Sequence, residues 1–135
     1  KYGRSYYMRF DFEGLDTAVA DKLMADLEAK LPTLNGKVYN GYTVSEAAPF
    51  VYNDPVDHSS TQNGLIVKFA DGSRIVYRLS GTGSSGATLR VYLEKYEQNK
   101  LDEDPQKMLQ PILEIAMDIA EITSRTGKQH ADVIT

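Results

Sequence analysis

The stretch LIVKFADGSRIVYRLS, Leu65 to Ser80, decides the fold. Leu65, Val67 and Phe69 alternate with their neighbours, Asp71-Gly72 follows, and Ile75, Tyr77 and Leu79 alternate again. A period of two marks a strand with one buried face, and Asp-Gly between two such runs predicts a tight hairpin turn. Working outward, Leu89, Val91 and Leu93 form a third alternating face beyond a glycine-rich connection. Near the start, Tyr6, Met8, Phe10 and Phe12 point one way and Tyr7, Arg9, Asp11 and Glu13 the other, with Gly14 expected to end that strand. Between these strands lies a helical stripe of Val19, Leu23, Leu27 and Leu31, joined by Ala20 and Met24. Asp16 is its expected N-cap and Pro32 its expected stop.

Residues 35–63 are the least decided. Val38–Val44 and Phe50–Tyr52 suit short strands broken by Gly36, Gly41 and Pro49, and Asn53–Ser60 is turn chemistry expected in a surface loop. The closing helix opens on Asp104 as N-cap and Pro105 at its first position. Its core stripe is Met108, Leu109, Ile112, Leu113, Ala116, Ile119 and Ala120, and Gly127 suits the C′ position. Pro111 falls in the first two turns, where a missing N–H matters least. There is no internal repeat and no low-complexity linker. The expectation is one α+β domain spanning residues 1–135, in the order β-α-β(4)-α. Two helices would pack on one face of an antiparallel sheet, leaving the other for solvent or a partner.

The 135 residues suffice for one core, and 41% hydrophobic with 25% charged residues is ordinary for a globular fold. With 15 Lys+Arg against 19 Asp+Glu the net charge is -4, which argues against non-specific binding to nucleic acid or an anionic membrane. Cysteine is absent, so disulfides and thiolate metal sites are excluded. No apolar run approaches the ~18 residues of a membrane span. The chain begins at Lys1 with no signal-peptide pattern, so a cytoplasmic domain cut from something larger is expected.

The chemically suggestive segment is RLSGTGSSGATLRVY, Arg78 to Tyr92. Its glycines allow N–H groups to converge on an anion, and Ser80, Thr82 and Ser84 add hydroxyl donors. Arg78 and Arg90 can set planar, permanently charged forks against phosphate oxygens. By the alternation, Arg74, Arg78 and Arg90 all project from the face opposite the apolar residues. Gly81-x-Gly83-x-x-Gly86 matches a dinucleotide fingerprint literally, but a β-branched, alternating strand follows instead of the helix that would receive a pyrophosphate. Gly81-x-x-x-x-Gly86 also begins a Walker A loop, yet Ala87 stands where Lys is required. A kinase glycine loop is excluded because the catalytic-loop and metal-binding signatures are missing. Residue types alone fit equally well a flexible hairpin connection flanked by two surface arginines.

Other features read as structural. Asp54, Asp57 and His58 flank Pro55 in a turn and are not expected to bind metal. His130 is expected in solvent, and Arg4 and Arg9 have two readings, facing a cleft or solvated on the surface, of which surface solvation is the safer assumption. The nine tyrosines could suggest a base-stacking platform, but the net charge and the alternation favour packing.

RLSGTGSSGATLRVYLEKYE closely resembles the phosphate-binding loop and following strand of the C-terminal domain of the phosphoglucomutases, in the α-D-phosphohexomutase superfamily. The resemblance extends to KYGR (Lys1–Arg4), NDPVDHS (Asn53–Ser59), DGSRIVYRLSGTG (Asp71–Gly83), DPQKML (Asp104–Leu109) and RTGKQHADVIT (Arg125–Thr135). It implies a TATA-binding-protein-like α+β domain, the last of four. That domain would clamp the phosphate not being transferred as glucose 1-phosphate and glucose 6-phosphate interconvert through glucose 1,6-bisphosphate. The residues it implies for that contact are Arg78, Ser80, Gly81, Thr82 and Arg90. The donor serine, the Mg²⁺ loop and the sugar loop of the whole enzyme have no counterpart here, so no catalytic or metal residue, and no cofactor, is expected in this chain. Its partners would be those sugar phosphates and three further domains of the same chain. The resemblance also admits an interaction or regulatory domain of a parafusin-like relative, although such a module has no need for Arg78, Ser80, Thr82 and Arg90 together. A nucleic-acid binder on a TATA-protein-like sheet is disfavoured by charge.

Overall fold

A computed structural model describes residues 4–39, 41–52, 62–80, 87–97, 105–128 and 130–135. In chain order the elements are β1 (Arg4–Leu15), α1 (Thr17–Leu34), β2 (Val38–Tyr39), β3 (Tyr42–Tyr52), β4 (Gln62–Phe69), β5 (Arg74–Ser80) and β6 (Ala87–Glu97). These are followed by α2 (Pro105–Ala120), α3 (Ile122–Thr126) and β7 (Val133–Ile134). The strands form one antiparallel sheet in the order β2-β3-β4-β5-β6-β1-β7. The expected α+β architecture is what forms, with β2, α3 and β7 added to it.

The three strands with clean alternation behave as read. Leu65, Val67, Phe69, Ile75, Tyr77, Leu89, Val91 and Leu93 are all buried on the face that α1 and α2 cover. The Asp71-Gly72 turn closes with Gly72 at φ 95°, Phe69 N–H donating to the Ser73 carbonyl at 2.8 Å, and Ser73 N–H donating to Asp71 Oδ1 at 2.9 Å. From the helices, Ala20, Leu23, Leu27, Leu31 and Leu34 of α1 and Leu109, Ile112, Ala116 and Ile119 of α2 complete the core. Tyr77 ties the layers together, its hydroxyl donating to the Ala116 carbonyl at 2.6 Å.

Several boundaries differ from the sequence reading. Gly14 does not end β1. It sits at φ 67° in a bulge, where residues 12–15 oppose residues 87–89 with one residue to spare. The extra residue flips the side-chain parity, so Leu15 joins Phe12 in the core despite its odd spacing. β3 has a second bulge between Val44 and Glu46, which turns both Val44 and Ala47 inward and hides the strand from a search for strict alternation. Pro49 does not break β3. Among the described residues β2 pairs only with Tyr42 and Thr43, so at Pro49 the strand is bonded there on one side, and a missing N–H on the other costs nothing.

Pro32 lies inside α1, whose last turn continues to Leu34 because that residue still has core to cover. Asp16 occupies the N-cap position without a side-chain cap hydrogen bond. Pro105 is the first residue of α2 as expected, while Asp104 and Asn53–Ser60 lie outside the described residues. The closing helix is broken at Glu121, which adopts a left-handed φ of 55°. Lys30 of α1 braces the break, its Nζ donating to the Ile119 carbonyl at 2.7 Å and to Glu121 Oε2 at 3.0 Å. Gly127 then ends α3 at φ 78°, its N–H donating to the Thr123 carbonyl. Finally, β7 lines the outer edge of β1, with Arg9 and Thr135 exchanging backbone bonds of 3.1 and 3.0 Å.

Candidate functional site

The sheet face away from the helices carries the candidate site, laid out in rows by strand register. Arg78 on β5 pairs directly with Arg90 on β6, and Arg90 in turn with Asp11 on β1. Two residues along, Val76 opposes Tyr92, which opposes Arg9; in the next row Arg74 opposes Glu94, which opposes Tyr7. Arg74, Arg78 and Arg90 therefore share the open face, as the alternation implied. A cleft of about 210 Å³ lies there, lined by Tyr7, Arg74, Val76, Arg78, Tyr92 and Glu94.

Directly opposed residues hold their Cβ atoms about 4.5–5.5 Å apart, and like charges so placed repel. Arg78 and Arg90 are such a pair, and they stand near the two ends of the connection 81–86. On the β1 side, charge of the opposite sign relieves the repulsion. Asp11 Oδ2 lies 3.9 Å from Arg90 Nε, and Asp11 Oδ1 lies 3.1 Å from Arg9 Nε. Arg74 is committed elsewhere, to Glu94 at 2.7 Å. The cluster gathers the three guanidinium groups of Arg9, Arg78 and Arg90 around the carboxylate of Asp11 on an open surface, which is suited to an oxyanion.

Of the expected phosphate contacts, the structure brings Arg78 and Arg90 together. Ser80 closes β5 opposite Thr88, while Gly81 and Thr82 lie outside the described residues. Arg9 is not merely solvated; it belongs to this cluster through Asp11. Asp11 was not singled out from sequence, although its place among Tyr7, Arg9 and Glu13 had put it on the correct face. The missing information was that β1 lies beside β6, a pairing of residues far apart in the chain. The tyrosines divide: Tyr6 and Tyr77 are buried, whereas Tyr7 is 56% exposed beside the cleft. Among the described residues no group of three or more His, Cys, Asp or Glu could hold a metal ion, and no helix is long and apolar enough to cross a membrane.

Comparison with known proteins gives this face a context. The profile of the family described as phosphoglucomutase-1, C-terminal domain, matches residues 4–132. The chain is 46% identical to human phosphoglucomutase-1 over 144 aligned residues, covering 100% of this chain and 26% of that protein. It is 45% identical to the phosphoglucomutase of Schizosaccharomyces pombe, covering 99% of this chain and 25% of that one. It thus spans about a quarter of the length of these relatives. Among solved structures, the open form of the exocytosis-sensitive phosphoprotein parafusin, a phosphoglucomutase from Paramecium, superposes with a TM-score of 0.78 at 39% identity. That match covers 98% of this chain and 23% of the parafusin chain. A profile matched over nearly the whole length, with relatives this similar, shows that the chain belongs to the family of phosphoglucomutase C-terminal domains.

Proposed function

We propose that residues 1–135 form the last domain of a four-domain cytoplasmic phosphoglucomutase, clamping the phosphate that is not being transferred. The observation that carries this reading is the direct opposition of Arg78 and Arg90 beside the connection 81–86. Two guanidinium forks meet the oxygens of a tetrahedral dianion, and Ser80, Gly81 and Thr82 supply hydroxyl and main-chain donors from the adjoining segment. The substrates would be glucose 1-phosphate and glucose 6-phosphate, with glucose 1,6-bisphosphate as the species that turns over between them. Because the clamp reads phosphate and not sugar, it serves either orientation of the bisphosphate. Grip on a remote phosphate supplies binding free energy that orients the sugar and closes the site around the reacting one.

Phosphoryl transfer and Mg²⁺ binding would belong to other parts of the longer chain, so this domain alone has no mutase activity. Each charge-assisted hydrogen bond contributes roughly 1.5–3 kcal/mol. Replacing Arg90 by Gln in the full-length chain should therefore lower kcat/KM for glucose 1-phosphate by roughly 10- to 100-fold. Unchanged kinetics in both Arg90→Gln and Arg78→Gln would overturn the proposal.

A further inference from the structure

We infer that Asp11 is a positioning residue, a buried carboxylate that holds Arg90 by its near side so that the outer nitrogens of the guanidinium face the ligand. This inference rests on the phosphate-clamp reading above. Asp11 sits on the open face of the sheet yet is only 3% exposed. It is enclosed by Arg9 two residues back on its own strand, by Arg90 directly opposite on β6, and by Val133 opposite on β7. A carboxylate withdrawn from water is costly unless cations face it, and here each oxygen has one. Both contacts are ion pairs at Nε, Arg9 at 3.1 Å and Arg90 at 3.9 Å, and neither has hydrogen-bond geometry, so the hold on Arg90 is electrostatic. A carboxylate facing Nε leaves the terminal nitrogens of the guanidinium to other acceptors, and Arg78 is the next cation across the sheet.

The backbone beneath Asp11 is fixed as well. Its carbonyl accepts from Asp132 N–H at 2.8 Å, and Arg9 and Thr135 bond each other twice. Asp132 in turn accepts from Glu13 N–H at 2.7 Å, which holds its carboxyl below the usual carboxylate range. The tail thus clips the strand segment that carries Arg9 and Asp11.

The charge of Asp11 and its position push phosphate affinity in opposite directions, which makes the inference testable by sign. A bystander carboxylate beside an anion site repels the anion, so removing it would tighten binding. A positioning carboxylate works through Arg90, so removing it loosens binding even though the site gains positive charge. The test is titration of the ¹⁵N-labelled 135-residue chain with inorganic phosphate at constant ionic strength, alongside D11N, R90K and the double variant R9Q/D11N. The double variant has the same net charge as the unaltered chain and leaves one cation fewer without its carboxylate than D11N does, so it decides the matter if D11N does not fold. The expected result is a Kd raised about tenfold in D11N and in R9Q/D11N, near the low end for the loss of one charge-assisted hydrogen bond from Arg90 to phosphate. The Arg90 Nε–H resonance should also shift in D11N, as the charge beside it is removed. Equal or tighter phosphate binding by D11N and the double variant, while R90K binds weakly, would overturn the role of Asp11 alone. Failure of the unaltered chain to respond at Arg78 and Arg90 would overturn both this inference and the clamp.

Discussion

Replacing Tyr77 by Phe should lower stability at neutral pH and raise it in strong alkali. Tyr77 is fully buried between the sheet and α2, and its hydroxyl makes one bond of 2.6 Å, to the Ala116 carbonyl. Phe keeps the ring and its packing, so the loss at pH 7 is that one hydrogen bond, about 1 kcal/mol. Burial pushes the Tyr77 hydroxyl well above its ordinary pKa of 10.0, with the charges of Tyr39 and Asp118 adding to the effect. The folded state therefore keeps the proton that the unfolded chain releases. Stability from this group is complete below about pH 10 and falls by up to about 1.4 kcal/mol per pH unit above it. One unit above the unfolded value the loss is about 1.4 kcal/mol, enough to cancel the hydrogen bond. The stabilities of Tyr77→Phe and the unaltered chain should therefore cross between about pH 10.5 and 11. Every other titrating group is common to both proteins and cancels in the difference. Urea unfolding followed by circular dichroism at steps of pH gives the two curves. A difference that stays constant from neutral pH to about pH 11 would refute the claim that Tyr77 is buried as the neutral phenol.

Two further substitutions probe the helical layer. Glu121→Gly should be more stable than Glu121→Ala by about 1 kcal/mol, since both lose the carboxylate but only glycine adopts the left-handed φ of 55° without strain. Equal melting temperatures would show that the break between α2 and α3 moves to accommodate alanine. Leu27→Ala removes a fully buried side chain from the centre of the α1 stripe and should cost about 2–5 kcal/mol in urea unfolding. A loss under about 1 kcal/mol would mean that α1 packs loosely on the sheet.

What could be read from the sequence follows the range of the interactions involved. β4, β5, β6 and the first half of β1 were legible because each is a local pattern of period two, and so was the sidedness of Arg78 and Arg90. The bulges at Gly14 and near Ser45 were not, since one inserted residue inverts every later side chain and looks like noise in an alternation. Pro49 and Pro32 were read as breaks because their cost depends on whether a neighbouring strand or a further helical turn needs the missing N–H, which is tertiary information. The break at Glu121 depends on Lys30, nearly a hundred residues earlier. The same limit applies to the site. The arginines announce themselves by type and by the loop they flank, but Asp11 gains its meaning only when β1 is laid against β6.

The most direct measurement is the response of single amides to phosphate. Titrating the ¹⁵N-labelled 135-residue chain with sodium phosphate against sodium chloride of equal ionic strength should give saturable shifts at Arg78, Ser80 and Arg90. The isolated domain should bind with a Kd of about 1 mM, or ~4 kcal/mol. Shifts that are absent at tens of millimolar phosphate, or equally large with chloride, would contradict the claim that this face is built to hold an oxyanion.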